Sequence, residues 1–289
     1  MRFEIKDGSF AEALKNLGIS EGDILLVASD ITALLFNLKT ALGIRRRADV
    51  DNALHALIDA FQAAVGKSGT RLFTVFSWSW CRGDGFDIRT TRGEVGALQN
   101  WVLANRPEFV RTRHPIYSFM VWGKDADVLR AMDNQDSWSH ASPFRFLHEH
   151  GAKHLLFNIE PCQALTFMHY IEQELDVPYR YPKYFFGEYT DENGNTETRM
   201  YSMFVRDIGL GAGCRILNDW LVENSAAKRV RWEGNVLASV DLKASYPLIR
   251  DDILLNRGRN TVSYASGEPD LNMPRRIPFE VKGLEERTC

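Results

Sequence analysis

The pattern of apolar and polar residues in the first third of the chain predicts a strand, then a helix, then a second strand. Residues 23–28 (DILLVA) have the pattern of a buried strand, and residues 50–65 carry apolar side chains at helical spacing before a stop at Gly66. Residues 69–76 (GTRLFTVF) then form a run rich in strand-favouring residues. This order predicts a βαβ unit with a largely parallel sheet.

The alternation continues towards the C-terminus. Further helices are predicted near residues 12–17, 96–105, 144–150, 166–174 and 215–223, and further strands near residues 117–122, 154–159 and 234–241. Residues 191–195 (DENGN) predict a tight turn between strands at 184–189 and 197–205, an antiparallel excursion from the α/β core. The length of 289 residues fits one domain over residues 1–289, with an extended tail from about residue 265, where proline and charge are frequent.

Composition narrows the class of protein. The formal net charge of −3 argues against a dedicated nucleic-acid binder, and the basic residues 45–47 predict a solvated loop, with phosphate binding as the alternative. There is no apolar leader and no run of the roughly eighteen apolar residues that a membrane span needs, so we expect a cytoplasmic protein without a membrane partner. The scattered cysteines predict reduced thiols; Cys81 and Cys162 leave an acyl-cysteine intermediate as an alternative.

Several known site patterns are missing from the sequence or incomplete. Residues 209–213 (GLGAG) resemble a dinucleotide loop, but Cys214 stands where the third glycine is required, which favours a turn. The phosphate-loop pattern and the nucleophile elbow do not occur. His148, His150 and His154 could indicate a metal, but the first two lie near a predicted helix end at Gly151, where the helix dipole favours histidine, and no carboxylate frame accompanies them, so we expect no metal site.

The segment 164–172 (ALTFMHYIE) carries candidate chemistry at helical spacing. Thr166, His169 and Glu172 recur every third residue, so a helix would place the hydroxyl, the imidazole and the carboxylate on one face. A carboxylate bonded to one ring nitrogen of histidine fixes its tautomer and leaves the other nitrogen free to accept a proton. That arrangement suits a nucleophile that must lose a proton before attack, such as an amine, although a surface ion pair would show the same spacing.

Residues 111–118 (RTRHPIYS) form a second candidate group. Pro115 favours an extended backbone at His114, so these side chains would be presented at the entrance of a strand. They predict either a charged loop or the wall of a site for an anionic or amide-bearing ligand. Ser142 and Pro143 have the pattern of a helix N-terminus, which structure alone explains.

Taken in order, these pieces resemble the aminoglycoside 3-N-acetyltransferase family. The matching landmarks are residues 22–27 (GDILLV), 69–70, 96–98 (GAL), 111–118, 142–144 (SPF), the Thr166, His169 and Glu172 set, and 177–180 (VPYR). The resemblance implies an α/β fold of three layers, αβα, around a mixed, largely parallel sheet with an antiparallel excursion, unrelated to the GNAT acetyltransferases. It also implies acetyl transfer from the co-substrate acetyl-CoA to an amine of a small amino-sugar acceptor, with no metal.

The resemblance also assigns roles. His169 and Glu172 fall on the family's catalytic pair and Thr166 on its hydroxyl position, so His169 would be the general base in a direct attack. Cofactor contacts would come from the loop and wall residues Ser29, Thr32, Arg111, His114 and Ser118. At 28–30 (ASD) the chain departs from the family, whose members usually carry a histidine followed by serines there.

The acceptor side is less like the family. We expect Trp78, Trp80, Asp84 and Asp87 to contact the acceptor, with the tryptophans stacking on sugar faces unless they are core residues. An aminoglycoside antibiotic is the first expectation, which would mean antibiotic resistance. A nucleotide-linked amino sugar for surface polysaccharide biosynthesis and a non-catalytic CoA- or sugar-binding protein are the alternatives. Neither the acyl length nor the oligomeric state follows from the sequence.

Overall fold

The computed structural model of the protein describes residues 7–39, 44–206, 210–211 and 215–264. The helices are α1 Asp7–Asn16, α2 Ile31–Leu38, α3 Arg47–Val65, α4 Ala97–Asn105, α5 Ala126–Ala131, α6 Pro143–Glu149, α7 Pro161–Ala164, α8 Phe167–Glu174, α9 Ile216–Glu223 and α10 Leu242–Asn256, with a 3₁₀ turn at Trp80–Arg82. The strands are β1 Ile24–Ser29, β2 Thr70–Phe76, β3 Phe86–Asp87, β4 Val110–Arg111, β5 Tyr117–Gly123, β6 Lys153–Phe157, β7 Arg180–Thr190, β8 Thr196–Arg206, β9 Leu210–Gly211, β10 Ala227–Trp232, β11 Asn235–Asp241 and β12 Ser263–Tyr264.

A seven-stranded mixed sheet, in the order β10-β11-β6-β1-β2-β5-β4, forms the centre of the protein. The predicted α/β class is confirmed, but parallel pairing is less extensive than predicted. Strand β1 pairs in parallel with β2 and β6, whereas the other neighbours in this sheet pair antiparallel. The reason is local, because only short connections join β4 to β5 and β10 to β11, and parallel strands need a long crossover.

Side chains of the central strands alternate between two apolar layers. In β1, Leu25 and Val27 pack with helices α1 to α4, whereas Ile24 and Leu26 pack with residues of α6, α8 and α10 on the other face. Strands buried on both faces are expected to be continuously apolar, as residues 24–28 (ILLVA) are. The predicted three-layer αβα arrangement is therefore confirmed.

Strands β7 and β8 form the predicted antiparallel hairpin, and β3 adds to β7 in parallel. The turn is fixed by Asp191, whose carboxylate accepts hydrogen bonds from the backbone N–H groups of Asn193 and Asn195 at 2.9 and 2.8 Å. The near end of the hairpin, at Arg180 and Arg206, lies next to helix α8 and so belongs to the site described below.

Some elements were not predicted. Helix α2 is apolar on nearly all sides and gives no helical periodicity, strand β10 is short and charged, and α10 contains Pro247. The predicted tail from residue 265 and most of the glycine-rich turn at 209–213 lie outside the described residues; Leu210–Gly211 pairs with β12. No helix in the described ranges is long and apolar enough to cross a membrane.

Candidate active site

Helix α8, which carries His169 and Glu172, follows the carboxyl end of β6 after the short helix α7. Helix α7 ends after one turn at Leu165, which leaves the helical region at φ −77° and ψ 65°, and Thr166 starts the new helix. Phe167, Met168, Tyr170 and Ile171 are buried in the core. This burial turns His169 towards the outside of the layer, where its side chain is 19% exposed, while Glu172 is 1% exposed.

His169 and Glu172 form the pair that the sequence predicted. The Nδ1 atom of His169 lies 2.7 Å from Oε2 of Glu172. Such a short contact to a carboxylate requires a proton on Nδ1, because two acceptors would repel each other at that distance. The imidazole can therefore offer an unprotonated Nε2 to a substrate.

The carboxylate of Glu172 is held from two further sides. The Tyr179 hydroxyl donates to Oε1 at 3.2 Å, and Nε of Arg180 lies 2.7 Å from Oε2. Burial alone would raise the pKa of Glu172, but the charge of Arg180 and the contact with His169 outweigh it and hold that pKa below its ordinary value. Glu172 is therefore ionised at neutral pH and can fix the tautomer of His169.

His169 is itself less basic than a free histidine. Burial lowers its pKa, the charge of Arg180 lowers it further, and Glu172 acts in the opposite direction with the smaller effect. The imidazole is therefore neutral at pH 7, as a general base must be before it accepts a proton.

Aromatic side chains close the site around this pair. The Trp138 ring lies 5.3 Å from the His169 ring and 4.7 Å from the Tyr117 ring, measured between centroids. Tyr117 begins β5 opposite Phe76, at the carboxyl end of β2. Sequence reasoning assigned no role to Trp138, Tyr117 or Arg180; only the VPYR landmark pointed to the last of these.

Thr166 lies at the first turn of α8, as predicted, but its side chain does not cap the helix. Its hydroxyl is therefore not consumed by the N-terminal N–H groups of α8. A role as hydrogen-bond donor to a substrate stays a prediction.

Arg111 and Ser118 lie together, yet they are sealed from solvent. Nε of Arg111 donates to the Ser118 hydroxyl at 3.0 Å, and Nη1 donates to the Thr91 carbonyl at 2.6 Å. The Ser118 hydroxyl donates to the Val75 carbonyl at 2.9 Å. Burial lowers the pKa of Arg111 to about 10, so the guanidinium remains charged at neutral pH. These contacts join β4, β5, β2 and the loop after β3, and they support a structural role for both residues.

His114 is also buried, at 2% exposure. Its Nδ1 accepts hydrogen bonds from the backbone N–H groups of Ile116 and Tyr117 at 3.3 and 3.1 Å. Burial lowers the pKa of His114 to about 3. The predicted cofactor contacts of Arg111, His114 and Ser118 thus have no support in these bonds, which are all made within the protein.

Ser29 and Thr32 lie where the sequence places a cofactor loop. Ser29 ends β1, is buried, and among the described residues its hydroxyl has no hydrogen-bond partner. Asp30 caps α2 by accepting from the Ala33 N–H at 3.1 Å, and Thr32 is exposed in the first turn of that helix. The carboxyl ends of β6, β1 and β2 meet at this edge of the sheet, where open α/β sheets bind ligands.

The four residues that were expected to contact the acceptor differ in their exposure and in their partners. Trp80 is 1% exposed and donates its indole N–H to the Phe185 carbonyl at 3.3 Å, so its ring is part of the core, which was the alternative to stacking on a sugar. Trp78 is partly buried and Asp84 is exposed. Asp87 is paired with Arg89 at 2.7 Å, which holds the pKa of Asp87 below its ordinary value.

Neither the thiol nor the metal alternative gains support from the described residues. Burial raises the pKa of the Cys81 thiol to about 11, which disfavours a thiolate. His148 stacks on Tyr246 at 4.0 Å and His150 stacks on Phe146 at 3.9 Å, whereas His154 is buried within the sheet. Across the described ranges, no group of three or more histidine, cysteine, aspartate and glutamate side chains could hold a metal ion.

Comparisons with known proteins agree on one family. The sequence model of the aminoglycoside 3-N-acetyltransferase family matches residues 43–245. Aminoglycoside N(3)-acetyltransferase IV of a Salmonella species is 29% identical over 189 residues, which cover 64% of this chain and 65% of that protein. Aminoglycoside N(3)-acetyltransferase III of Enterobacter cloacae is 25% identical over 191 residues, which cover 59% and 61%. The chain thus matches less than two thirds of the length of these relatives.

Solved structures share the fold. A binary complex of AAC-IIIb with CoASH superposes with a TM-score of 0.66 at 20% identity, over 91% of this chain and 98% of that one. AAC-VIa bound to sisomicin gives 0.67 at 17% identity, over 89% and 99%. The YokD protein of Bacillus subtilis gives 0.65 at 18% identity, over 85% and 97%.

Proposed function

The chain belongs to the aminoglycoside 3-N-acetyltransferase family, and from that premise we propose that it transfers an acetyl group from acetyl-CoA to an amine of an amino-sugar acceptor. The observation that carries the proposal is the short contact between His169 and Glu172, with an ionised carboxylate and a neutral imidazole. The similarity to AAC-IIIb, whose structure holds CoASH, and to AAC-VIa, whose structure holds sisomicin, supports the two substrates.

In the proposed mechanism, the acceptor amine attacks the thioester directly. Nε2 of His169 takes a proton from the amine nitrogen, which forms a bond to the acetyl carbon while the bond between that carbon and sulfur breaks. The proton then passes from His169 to the sulfur of CoA, which leaves as the thiol. General-base assistance of this kind typically contributes 10²–10⁴-fold in rate.

The developing negative charge on the thioester oxygen requires hydrogen-bond donors. We assign this role to the Thr166 hydroxyl, which the helix does not use, or to backbone N–H groups after Ser29. The buried hydroxyl of Ser29, which has no hydrogen-bond partner among the described residues, suits a polar group of the incoming CoA, and Thr32 is exposed in the first turn of the helix that follows. Arg111, His114 and Ser118 would not contact a substrate; they would support the site by holding the neighbouring strands in place.

The charge of the proposed acceptor surface bears on which class of amino sugar binds there. Of the acidic residues that follow the tryptophan-containing segment 77–81 (SWSWC), Asp87 is paired with Arg89, and Glu94 is paired with Arg82 at 2.8 Å. Of these three carboxylates, only Asp84 is both exposed and without a salt bridge among the described residues. A polycationic aminoglycoside would meet little uncompensated negative charge there, so a less basic amino sugar, such as a nucleotide-linked one, is the second candidate acceptor.

The test is a thiol-release assay with acetyl-CoA against a panel of aminoglycosides and nucleotide-linked amino sugars. Acetylation of an aminoglycoside supports the first acceptor class, and acetylation of only the nucleotide-linked sugars supports the second. Calorimetry with CoA runs in parallel. A protein that binds CoA but acetylates no member of the panel would contradict the catalytic proposal in favour of a binding role, and a protein that does not bind CoA would overturn it altogether.

A further inference from the structure

Arg180 makes contacts that neither the family assignment nor the mechanism above uses. We propose that Arg180 is a positioning residue of this site, which ties Glu172 to the β7–β8 hairpin and keeps Nε2 of His169 free of a proton until the acceptor delivers one. This inference rests on the proposed function for its catalytic meaning. Its geometry can be tested without any acceptor.

The guanidinium of Arg180 completes a triangle with the catalytic pair. Its Nε lies 2.7 Å from Oε2 of Glu172 and its Nη2 lies 2.9 Å from Nδ1 of His169, while Nδ1 and Oε2 are themselves 2.7 Å apart. Because Nδ1 donates to Glu172, it cannot also accept from Nη2. The cation is thus held against the edge of the imidazole ring by the shared carboxylate.

The position of Arg180 is set by the hairpin and not by α8. Arg180 is the first residue of β7, is 6% exposed, and donates from Nη1 to the Phe204 carbonyl of β8 at 3.1 Å. A buried guanidinium with a fixed carbonyl and a fixed carboxylate loses little freedom by holding this geometry. The orientation of Glu172, and through it that of His169, therefore depends on the hairpin.

The permanent charge of Arg180 determines which protonation state of His169 is favoured. An imidazolium would place a second positive charge 2.9 Å from Nη2 in a buried setting, which is unfavourable. The charge accordingly lowers the pKa of His169. After the amine has given up its proton, the same repulsion favours transfer of that proton onward to the sulfur of CoA.

Other charged groups surround His169 less closely. Arg206 at the exposed end of β8 also lowers the pKa of His169, by less than Arg180 does, and the Tyr179 hydroxyl contacts Glu172. On the other sides of α8, Tyr170 contacts His148 of α6, and Glu174 contacts Tyr246 of α10 and His140, which precedes α6. Trp138, which packs on the ring, carries no charge.

The experiment is a pH titration of the His169 imidazole by NMR with labelled histidine, with His169→Gln used to assign its signals. In the wild-type protein we expect Nδ1 to carry the proton and the titration midpoint to lie below 6.5. Removal of the charge in Arg180→Met should raise the midpoint by about one pH unit or more. Arg180→Gln keeps a donor for the Phe204 carbonyl and serves as the second variant if Arg180→Met does not fold.

Arg206→Gln is the matched control, because it removes a cation directly across the hairpin ladder from Arg180 without contacting Glu172. We expect its midpoint to move far less than that of the Arg180 variants. A wild-type midpoint at or above 6.5, or equal changes in midpoint for Arg180→Gln and Arg206→Gln, would overturn the inference. A wild-type midpoint at or above 6.5 overturns the inference even if neither Arg180 variant folds.

Activity gives an independent readout. With an acceptor that the thiol-release panel identifies, the acidic limb of kcat/KM should move to higher pH in Arg180→Gln. If the limb moves by about one pH unit, the loss of kcat/KM on the acidic limb should exceed the loss at pH 8 by roughly tenfold. A merely structural role would lower kcat/KM equally at both pH values. Absence of activity in the wild type would remove the proposed function but leave the NMR result standing.

Discussion

His169 on helix α8 and His114 between strands β4 and β5 occupy opposite environments. His169 is 19% exposed and directs Nδ1 to a carboxylate, whereas His114 is 2% exposed and uses Nδ1 to accept two backbone N–H groups. The first arrangement places the proton on Nδ1 and frees Nε2. The second places the proton on Nε2, so that His114 has no free nitrogen to act as a base.

This difference shows that the partner of Nδ1 decides what a histidine can do. A carboxylate partner fixes the tautomer and the orientation of a base, and backbone N–H partners make a structural link. The two residues can be separated by experiment, because loss of the first should act on turnover and loss of the second on folding.

The largest effect is expected for His169→Gln. Because this change removes the nitrogen that accepts the proton while leaving Glu172 and Arg180 in place, kcat/KM for acetyl transfer should fall by about 10²–10⁴-fold. The thermal midpoint should stay close to that of the wild type. The thiol-release assay and thermal unfolding measure the two quantities, and full activity in a folded variant would remove His169 from the mechanism.

For His114→Leu we expect a smaller effect, on stability and not on turnover. The replacement leaves the N–H groups of Ile116 and Tyr117 buried without an acceptor, which should lower the free energy of unfolding by about 1–3 kcal/mol. Urea unfolding measures the loss. The folded variant should retain far more turnover than His169→Gln, and equal losses of turnover in the two variants would show that the two histidines do not differ in their catalytic role.

The smallest effect concerns a third histidine, His154. Burial lowers the pKa of His154 to about 3, against about 6.5 in an unfolded chain. Between these values the unfolded state binds more protons, so this contribution to stability is fully present above pH 6.5 and is lost as the pH falls. His154→Leu should reduce the loss of unfolding free energy between pH 7.5 and pH 5.5 by about 1 kcal/mol, as measured by urea unfolding at both values. An unchanged pH dependence in the variant would show that His154 is not the group responsible.

The sequence predicted the elements whose signal is local. Helix α3 with its glycine stop, strand β2 and the β7–β8 hairpin follow from apolar spacing and turn residues, and the structure contains all of them. Helix α2 and strand β10 were not predicted, because a short, fully apolar helix and a charged edge strand have no distinctive periodicity.

Of the candidate active site, the sequence likewise predicted only what depends on local spacing. The pairing of His169 with Glu172 depends only on two residues three positions apart on one helix, so spacing alone identified it. Burial was not predictable in this way. Trp78 and Trp80 are two residues apart with the same side chain, yet only Trp80 fills the core beneath the hairpin.

By itself, then, the sequence determined helix α3, strand β2, the β7–β8 hairpin and the spacing of His169 and Glu172 on α8, because neighbours along the chain fix these features. The tertiary structure alone decided that Arg180 closes on Glu172, that Arg111 and Ser118 are sealed between strands, and that parallel pairing in the central sheet is confined to β6, β1 and β2. Each of these outcomes depends on which distant segment removes water from a side chain or supplies its hydrogen-bond partner, and spacing along the chain carries no record of that.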